Sequence, residues 1–117
     1  MFSPIQPRFQ TTEKPNSAAT LNKLLNLQQW NGTWNLNEEL ARLSNVTVTE
    51  IHSAVPGLND AVLGTLLAVT VVKERFAQQT DVWQAIINKA TAFLDKQPNQ
   101  AAIQSGFSAL RLIIKRN

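Results

Sequence analysis

The sequence predicts an all-α domain, a compact bundle of five or six helices. Apolar residues recur at spacings of three and four along most of the chain, which is the period of a helix with one buried face. Asn, Ser, Thr and Asp, the residues that favour helix starts, stand before these segments. The chain has 117 residues, of which 44% are hydrophobic, enough for one core and one domain.

The first 16 residues differ in composition from the rest. They hold three of the five prolines and show little periodicity, which predicts a flexible proline-rich leader over residues 1–16. Phe2, Ile5 and Phe9 are spaced by three and four, which also fits an arm that packs on the domain or docks on a partner. Residues 17–117 are then predicted to form a single helical interaction domain.

The first helix is predicted to begin after Ser17, a residue suited to an N-cap. Leu21, Leu24, Leu25 and Gln28 follow the i, i+3, i+4, i+7 pattern of a helix with one buried face.

A sharp corner is predicted directly after this helix. Asn31 and Gly32 both tolerate the positive φ of a tight turn, and Trp30 and Trp34 flank them. Gln28 lies four residues before Gly32, so the corner has the spacing Gln-x-x-x-Gly-x-Trp. We expect Gln28 to satisfy carbonyl groups at the helix end while an indole covers its stem.

Two short helices follow the corner. Asn37 is a predicted N-cap, and Thr47 and Glu50 have the spacing of a capping box. The second of these helices should end before Pro56, because the residue before a proline disfavours helical geometry. Residues 46–49 also suit a strand by composition, but no nearby segment offers a pairing partner.

The central helix is predicted over about residues 60–78, capped by Asn59 or Asp60. Its apolar residues go most of the way round, as expected of a helix surrounded by others. The next helix should be capped by Thr80 or Asp81.

The last two helices carry the clearest apolar stripes. Trp83 begins a stripe that continues to about Lys96, and Pro98 suits the first turn of a final helix. The three tryptophans, Trp83 among them, lie on or beside such stripes, so we expect them at the core or at the corner rather than in a binding cage. The stripe of the final helix is Ile103, Phe107, Leu110 and Ile114.

The residues that carry most enzyme chemistry are scarce. There is no cysteine, and His52 is the only histidine, so neither a thiolate nucleophile nor a histidine-rich metal site is available. Glu38 and Glu39 fit the positive end of a helix dipole rather than a facing carboxylate pair. The sequence therefore predicts no catalytic residues, no cofactor and no metal, and the apolar run over 61–72 is too short to span a membrane.

The formal net charge of +3 raises the alternative of a small basic nucleic-acid-binding domain. The basic residues are scattered, however, and only Arg111, Lys115 and Arg116 lie close together in sequence. The negative end of a helix dipole also favours basic residues there. Together with the leader residues, these three are the predicted partner-binding contacts. A purely structural or oligomerisation domain is the remaining alternative.

The order of these signals resembles one family. The chain is similar to the C-terminal domain of proteins that pair a VIT domain with a von Willebrand factor A domain. The similarity lies in four successive features: the corner of Gln28, Gly32 and Trp34; the residues Leu36, Leu40 and Leu43; an alanine- and leucine-rich helix; and the run from Asp81 to Leu94. They also resemble the vault-interacting segment of the vault poly(ADP-ribose) polymerase. The resemblance covers about residues 20–96. Triterpene cyclases share the corner motif, but they repeat it and add an acidic motif that this chain lacks.

The resemblance implies a non-catalytic protein-interaction module. In the polymerase, the related segment binds major vault protein and directs the enzyme into the vault particle, a cytoplasmic ribonucleoprotein particle. The resemblance therefore implies that major vault protein is the partner and that the chain is cytoplasmic. If the chain keeps this binding, it is expected inside vault particles. The VIT, von Willebrand and transferase domains of the family are missing from this sequence.

Overall fold

The computed structural model describes the backbone of residues 18–116 and the side chains of residues 19–115. This part of the chain folds into helices joined by turns, and no strand occurs in it. The predicted all-α class is confirmed. The six α-helices are α1 (Ala18–Asn26), α2 (Glu38–Leu43), α3 (Val48–Ala54), α4 (Asp60–Arg75), α5 (Thr80–Asp95) and α6 (Gln100–Arg116).

Three of the helix starts lie where their capping residues predict them. The Asn37 side chain accepts a hydrogen bond from the Leu40 amide at the start of α2. Thr47 and Glu50 form the reciprocal capping box of α3, so the strand alternative over 46–49 is wrong. The Asn59 side chain accepts from the backbone of α4, which makes Asn59 rather than Asp60 the cap.

The junction between α4 and α5 differs from the prediction. The central helix ends at Arg75 instead of near residue 78, and a single 3₁₀ turn, Ala77–Gln79, follows it. Neither Thr80 nor Asp81 caps α5, because the helix begins at Thr80 itself. The Thr80 hydroxyl donates back to the Ala77 carbonyl at 2.8 Å and thereby joins the 3₁₀ turn to the helix.

The final helix also begins later than Pro98 suggests. The first helical residue is Gln100, and the Ile103 amide donates to the Asn99 carbonyl, so Pro98 lies just before the first turn. The Gln100 side chain donates to the carbonyls of Leu94 and Gln97 and so closes the end of α5. The predicted cap Ser17 lies outside the described residues.

The bundle is built around α4, which is buried without interruption from Val62 to Val72. Its largest contact is with α6 and its next largest with α5, while α1 packs on α2 and α3 packs on α6. Gly106 permits the approach of α6, because a Cβ at this position would lie 3.0 Å from Val55 and 3.1 Å from Leu66. The uninterrupted burial agrees with the apolar residues on all sides of α4.

The extended segment 34–36 is seated directly on α4. A Cβ at Gly64 would meet the Trp34 carbonyl oxygen at 2.2 Å, so only glycine lets the two backbones come this close. The Leu36 amide donates to the Asp60 carbonyl at 3.0 Å, and the Trp34 amide donates to the Thr65 hydroxyl at 3.0 Å. These contacts fix where the corner meets the central helix.

We expect Gly64→Ala to destabilise the fold strongly, because backbone atoms on both sides of the contact must move apart. The loss should be about 3 kcal/mol even though alanine is the better helix former. Gly106→Ala is the matched control, since it gains the same helix propensity but meets only side-chain atoms. Urea unfolding followed by circular dichroism measures both, and equal losses would contradict the role given to Gly64.

Candidate interaction surface

The corner between α1 and α2 is tied to α5 by one glutamine and one glycine. The Gln28 side-chain amide donates to the Gly32 carbonyl at 3.2 Å and to the Ile86 carbonyl on α5 at 3.0 Å. Gly32 has a φ of +90°, and a Cβ there would lie 2.9 Å from the Lys89 Cγ. Gln28 therefore bonds to the turn and to a neighbouring helix, whereas we expected it to bond at the end of its own helix.

Trp34 and Trp83 are buried, and each indole satisfies a carbonyl at the end of a helix. The Trp34 Nε1–H donates to the Leu24 carbonyl of α1 at 2.8 Å, and the Trp83 Nε1–H donates to the Phe76 carbonyl after α4 at 2.7 Å. Carbonyls near a helix C-terminus lack part of their helical partners, so a buried indole donor is well used there. The expectation of core positions holds for these two residues.

Trp30 lies at the corner but does not pack there. Its side chain is 88% exposed, whereas that of Trp34 is 1% exposed. The expectation that Trp30 belongs to the packed corner is therefore wrong as regards its side chain. Single exposed apolar residues are common on proteins, but a tryptophan this exposed is a candidate contact for a partner.

A groove of about 690 Å³ lies between α3 and α6. Leu112 borders it and is 67% exposed, although it belongs to the longest helix of the bundle. The lining is mainly apolar, with one carboxylate and one hydroxyl at its side; it comprises Glu50, Ser53, Ala54, Ala109, Leu112 and Ile113. An open apolar groove with a few polar groups has the composition of a protein-binding site.

No local sequence pattern indicates this groove as a whole, because it is made of two helices that are distant along the chain. One signal was present in α6. Leu112 falls out of phase with the stripe of Ile103, Phe107, Leu110 and Ile114 and so lies on the otherwise polar side. An apolar residue out of phase with the core stripe indicates an exposed contact.

The predicted basic contacts lie on α6 near Leu112. Arg111 is exposed, and its Nε lies 3.4 Å from a carboxylate oxygen of Glu74 on α4. Lys115 is exposed one turn later. The Arg116 side chain and the leader residues Phe2, Ile5 and Phe9 lie outside the described residues.

Two further titratable groups, His52 and Arg75, have structural partners. His52 is on the surface, and its Nε2 lies 3.5 Å from a carboxylate oxygen of Asp60. Arg75 donates to the Ser44 carbonyl at the end of α2 at 2.7 Å, and burial lowers the pKa of its guanidinium from the usual value. Within residues 18–116, no group of three or more His, Cys, Asp or Glu side chains is placed to hold a metal ion.

Comparison with family models, with proteins of curated function and with solved structures finds no match to this chain. Among the described helices, none combines the length and apolarity that crossing a membrane requires.

The exposure of Trp30 predicts a simple optical result. Trp30→Phe should remove most of the fluorescence that acrylamide quenches and shift the remaining emission to the blue, while the free energy of unfolding changes by no more than about 0.5 kcal/mol. Trp34→Phe, the control, loses the bond to Leu24 and should cost about 1–3 kcal/mol. A quenchable fraction that survives Trp30→Phe would contradict the exposed position.

Proposed function

We propose that this chain is a non-catalytic protein-interaction module that binds its partner through the groove between α3 and α6. The observation that carries the proposal is Leu112, an apolar side chain 67% exposed at the border of an apolar groove. Exposing such a residue is unfavourable in water, and a partner that covers it recovers this free energy.

The groove suits a protein partner for two further reasons. Its walls are helices packed on one another, since α6 contacts both α3 and α4, so little ordering is needed on binding. The carboxylate of Glu50 and the hydroxyl of Ser53 lie beside the apolar lining and can orient an incoming donor. A small apolar centre with a polar border is the arrangement in which a few residues supply most of the affinity.

Major vault protein is the partner that we propose. The support is the resemblance of the Gln28, Gly32 and Trp34 corner and of the helices that follow it to the vault-interacting segment. A cytoplasmic location, and residence inside vault particles, are proposed on the same basis. In this proposal α6 remains part of the contact, with Leu112 as its centre, while Lys115 and Arg111 lie on the same helix outside the groove lining.

The test is co-sedimentation of the full chain with purified vault particles over a salt series. The wild-type chain should sediment saturably and tolerate moderate salt, because apolar burial is screened little by ions. Leu112→Ser should weaken binding by about tenfold or more. Val82→Ser is the matched control: it removes a half-exposed apolar side chain on α5, outside the groove, and should leave binding unchanged.

Three results would contradict the proposal in different ways. A wild-type chain that stays in the supernatant removes major vault protein as partner. Binding that ignores Leu112→Ser keeps the partner and removes the groove. In a parallel titration, duplex or single-stranded nucleic acid bound with an affinity that falls by orders of magnitude as salt rises would favour the nucleic-acid alternative.

A further inference from the structure

Trp30 is presented by a turn whose conformation is fixed. The Gln29 amide donates to the Thr33 carbonyl at 2.7 Å, and the Gly32 amide donates to the Gln29 carbonyl at 2.9 Å. The Asn31 side-chain oxygen accepts from the Thr33 hydroxyl at 2.7 Å, and Gln28 ties the turn to α5. Within the turn of residues 29–33, every residue except Trp30 takes part in one of these hydrogen bonds. The indole therefore projects from a preorganised turn, and less entropy is lost when it binds a partner.

Two hydrogen-bond donors lie at this turn, one on the indole of Trp30 and one on Lys89. The indole Nε1–H donates to no acceptor within the described part of the chain. Lys89 lies beside the turn, with its stem against Gly32, and its side chain is exposed. The exposed indole of Trp30 thus carries an N–H donor, and Lys89 beside the same turn carries a positive charge; we call this pair the Trp30 projection.

The groove between α3 and α6 has the opposite properties. It is an open groove, and its apolar lining includes the small side chains of Ala54 and Ala109. Its polar groups, the hydroxyl of Ser53 and the carboxylate of Glu50, can accept hydrogen bonds. One oxygen of Glu50 already accepts from the Thr47 amide at 3.2 Å, and a carboxylate has lone pairs for further donors.

We propose that the groove of one copy of this chain binds the Trp30 projection of a second copy. The indole enters the apolar groove, its N–H donates to Ser53 or Glu50, and the Lys89 ammonium faces the Glu50 carboxylate. The hydrogen-bonding groups and the charges of the two surfaces are complementary. The groups on both surfaces, the indole and Lys89 on one copy and Ser53 and Glu50 on the other, favour this occupant whether or not the chain binds vaults.

The proposed contact is heterologous, because the projection lies beside α5 and the groove lies on α3 and α6. Each copy then has a projection for one neighbour and a groove for another, so assembly continues head to tail unless a ring closes. One indole and its surroundings bury less than the ~1,200 Å² typical of stable interfaces, so the association should be weak. A vault partner in the groove would compete with the second copy.

Sedimentation equilibrium of the full chain tests the proposal over about 10 µM to about 1 mM, the range expected for so small an interface. The average mass of the wild-type chain should rise with concentration. Trp30→Ala removes the projection and Leu112→Glu spoils the groove, so each variant alone should remain monomeric. Lys89→Glu should weaken association by about tenfold, whereas Lys96→Glu, the matched control at the C-cap of α5, should not.

Mixing two variants gives the decisive result. Trp30→Ala keeps its groove and Leu112→Glu keeps its projection, so an equimolar mixture should form a one-to-one dimer and nothing larger. Misfolding cannot produce this complementation. A wild-type chain that stays monomeric at every concentration, association that survives Trp30→Ala, or a mixture that stays monomeric would each overturn the proposal.

Discussion

The close approach of two backbones at Gly64 is the constraint on which the rest of this structure depends. It seats the segment 34–36 on α4, and each end of that segment then positions another helix. The buried Trp34 donates to the Leu24 carbonyl and so orients α1, while Leu36 bonds to Asp60 and sets the start of α2. One residue without a side chain thereby determines how α1, α2 and α4 meet.

The same scaffold accounts for the two apolar features of the surface. The corner is held on one side by α4 and on the other by α5 through Gln28, and the side chain of Trp30 projects outward from it. Gly106 permits a second close approach, between α6 and Val55 at the end of α3. The two helices are thereby neighbours and form the walls of the groove. Trp30 and the groove therefore both lie on closely packed parts of the fold. Because their exposed side chains are not part of the core, we expect that these can be substituted without loss of the core.

Local signals predicted most of the helices, because capping depends on residues only three or four apart. Asn37, Thr47 with Glu50, and Asn59 marked three helix starts correctly. Thr80 has the same local chemistry but lies inside a helix, because a 3₁₀ turn after α4 leads directly into α5. Whether such a residue caps a helix or belongs to its first turn depends on the conformation of the segment before it.

The candidate site was less predictable, since burial depends on contacts between distant segments. Trp30 and Trp34 have similar surroundings in the sequence, and only the position of α4 decides that one is buried and the other exposed. The groove requires α3 and α6 to be neighbours, which no local pattern indicates. Leu112 alone carried a readable signal, its position out of phase with the core stripe of α6.

The most direct test of the Gly64 junction compares two buried threonines of α4 by urea unfolding. The hydroxyls of Thr65 and Thr70 both donate to the carbonyl four residues earlier, but only Thr65 also accepts the amide of Trp34. If this junction organises the fold, Thr65→Val leaves a buried amide without its acceptor and should cost about 1–3 kcal/mol more than Thr70→Val. Equal losses for the two variants would contradict the account.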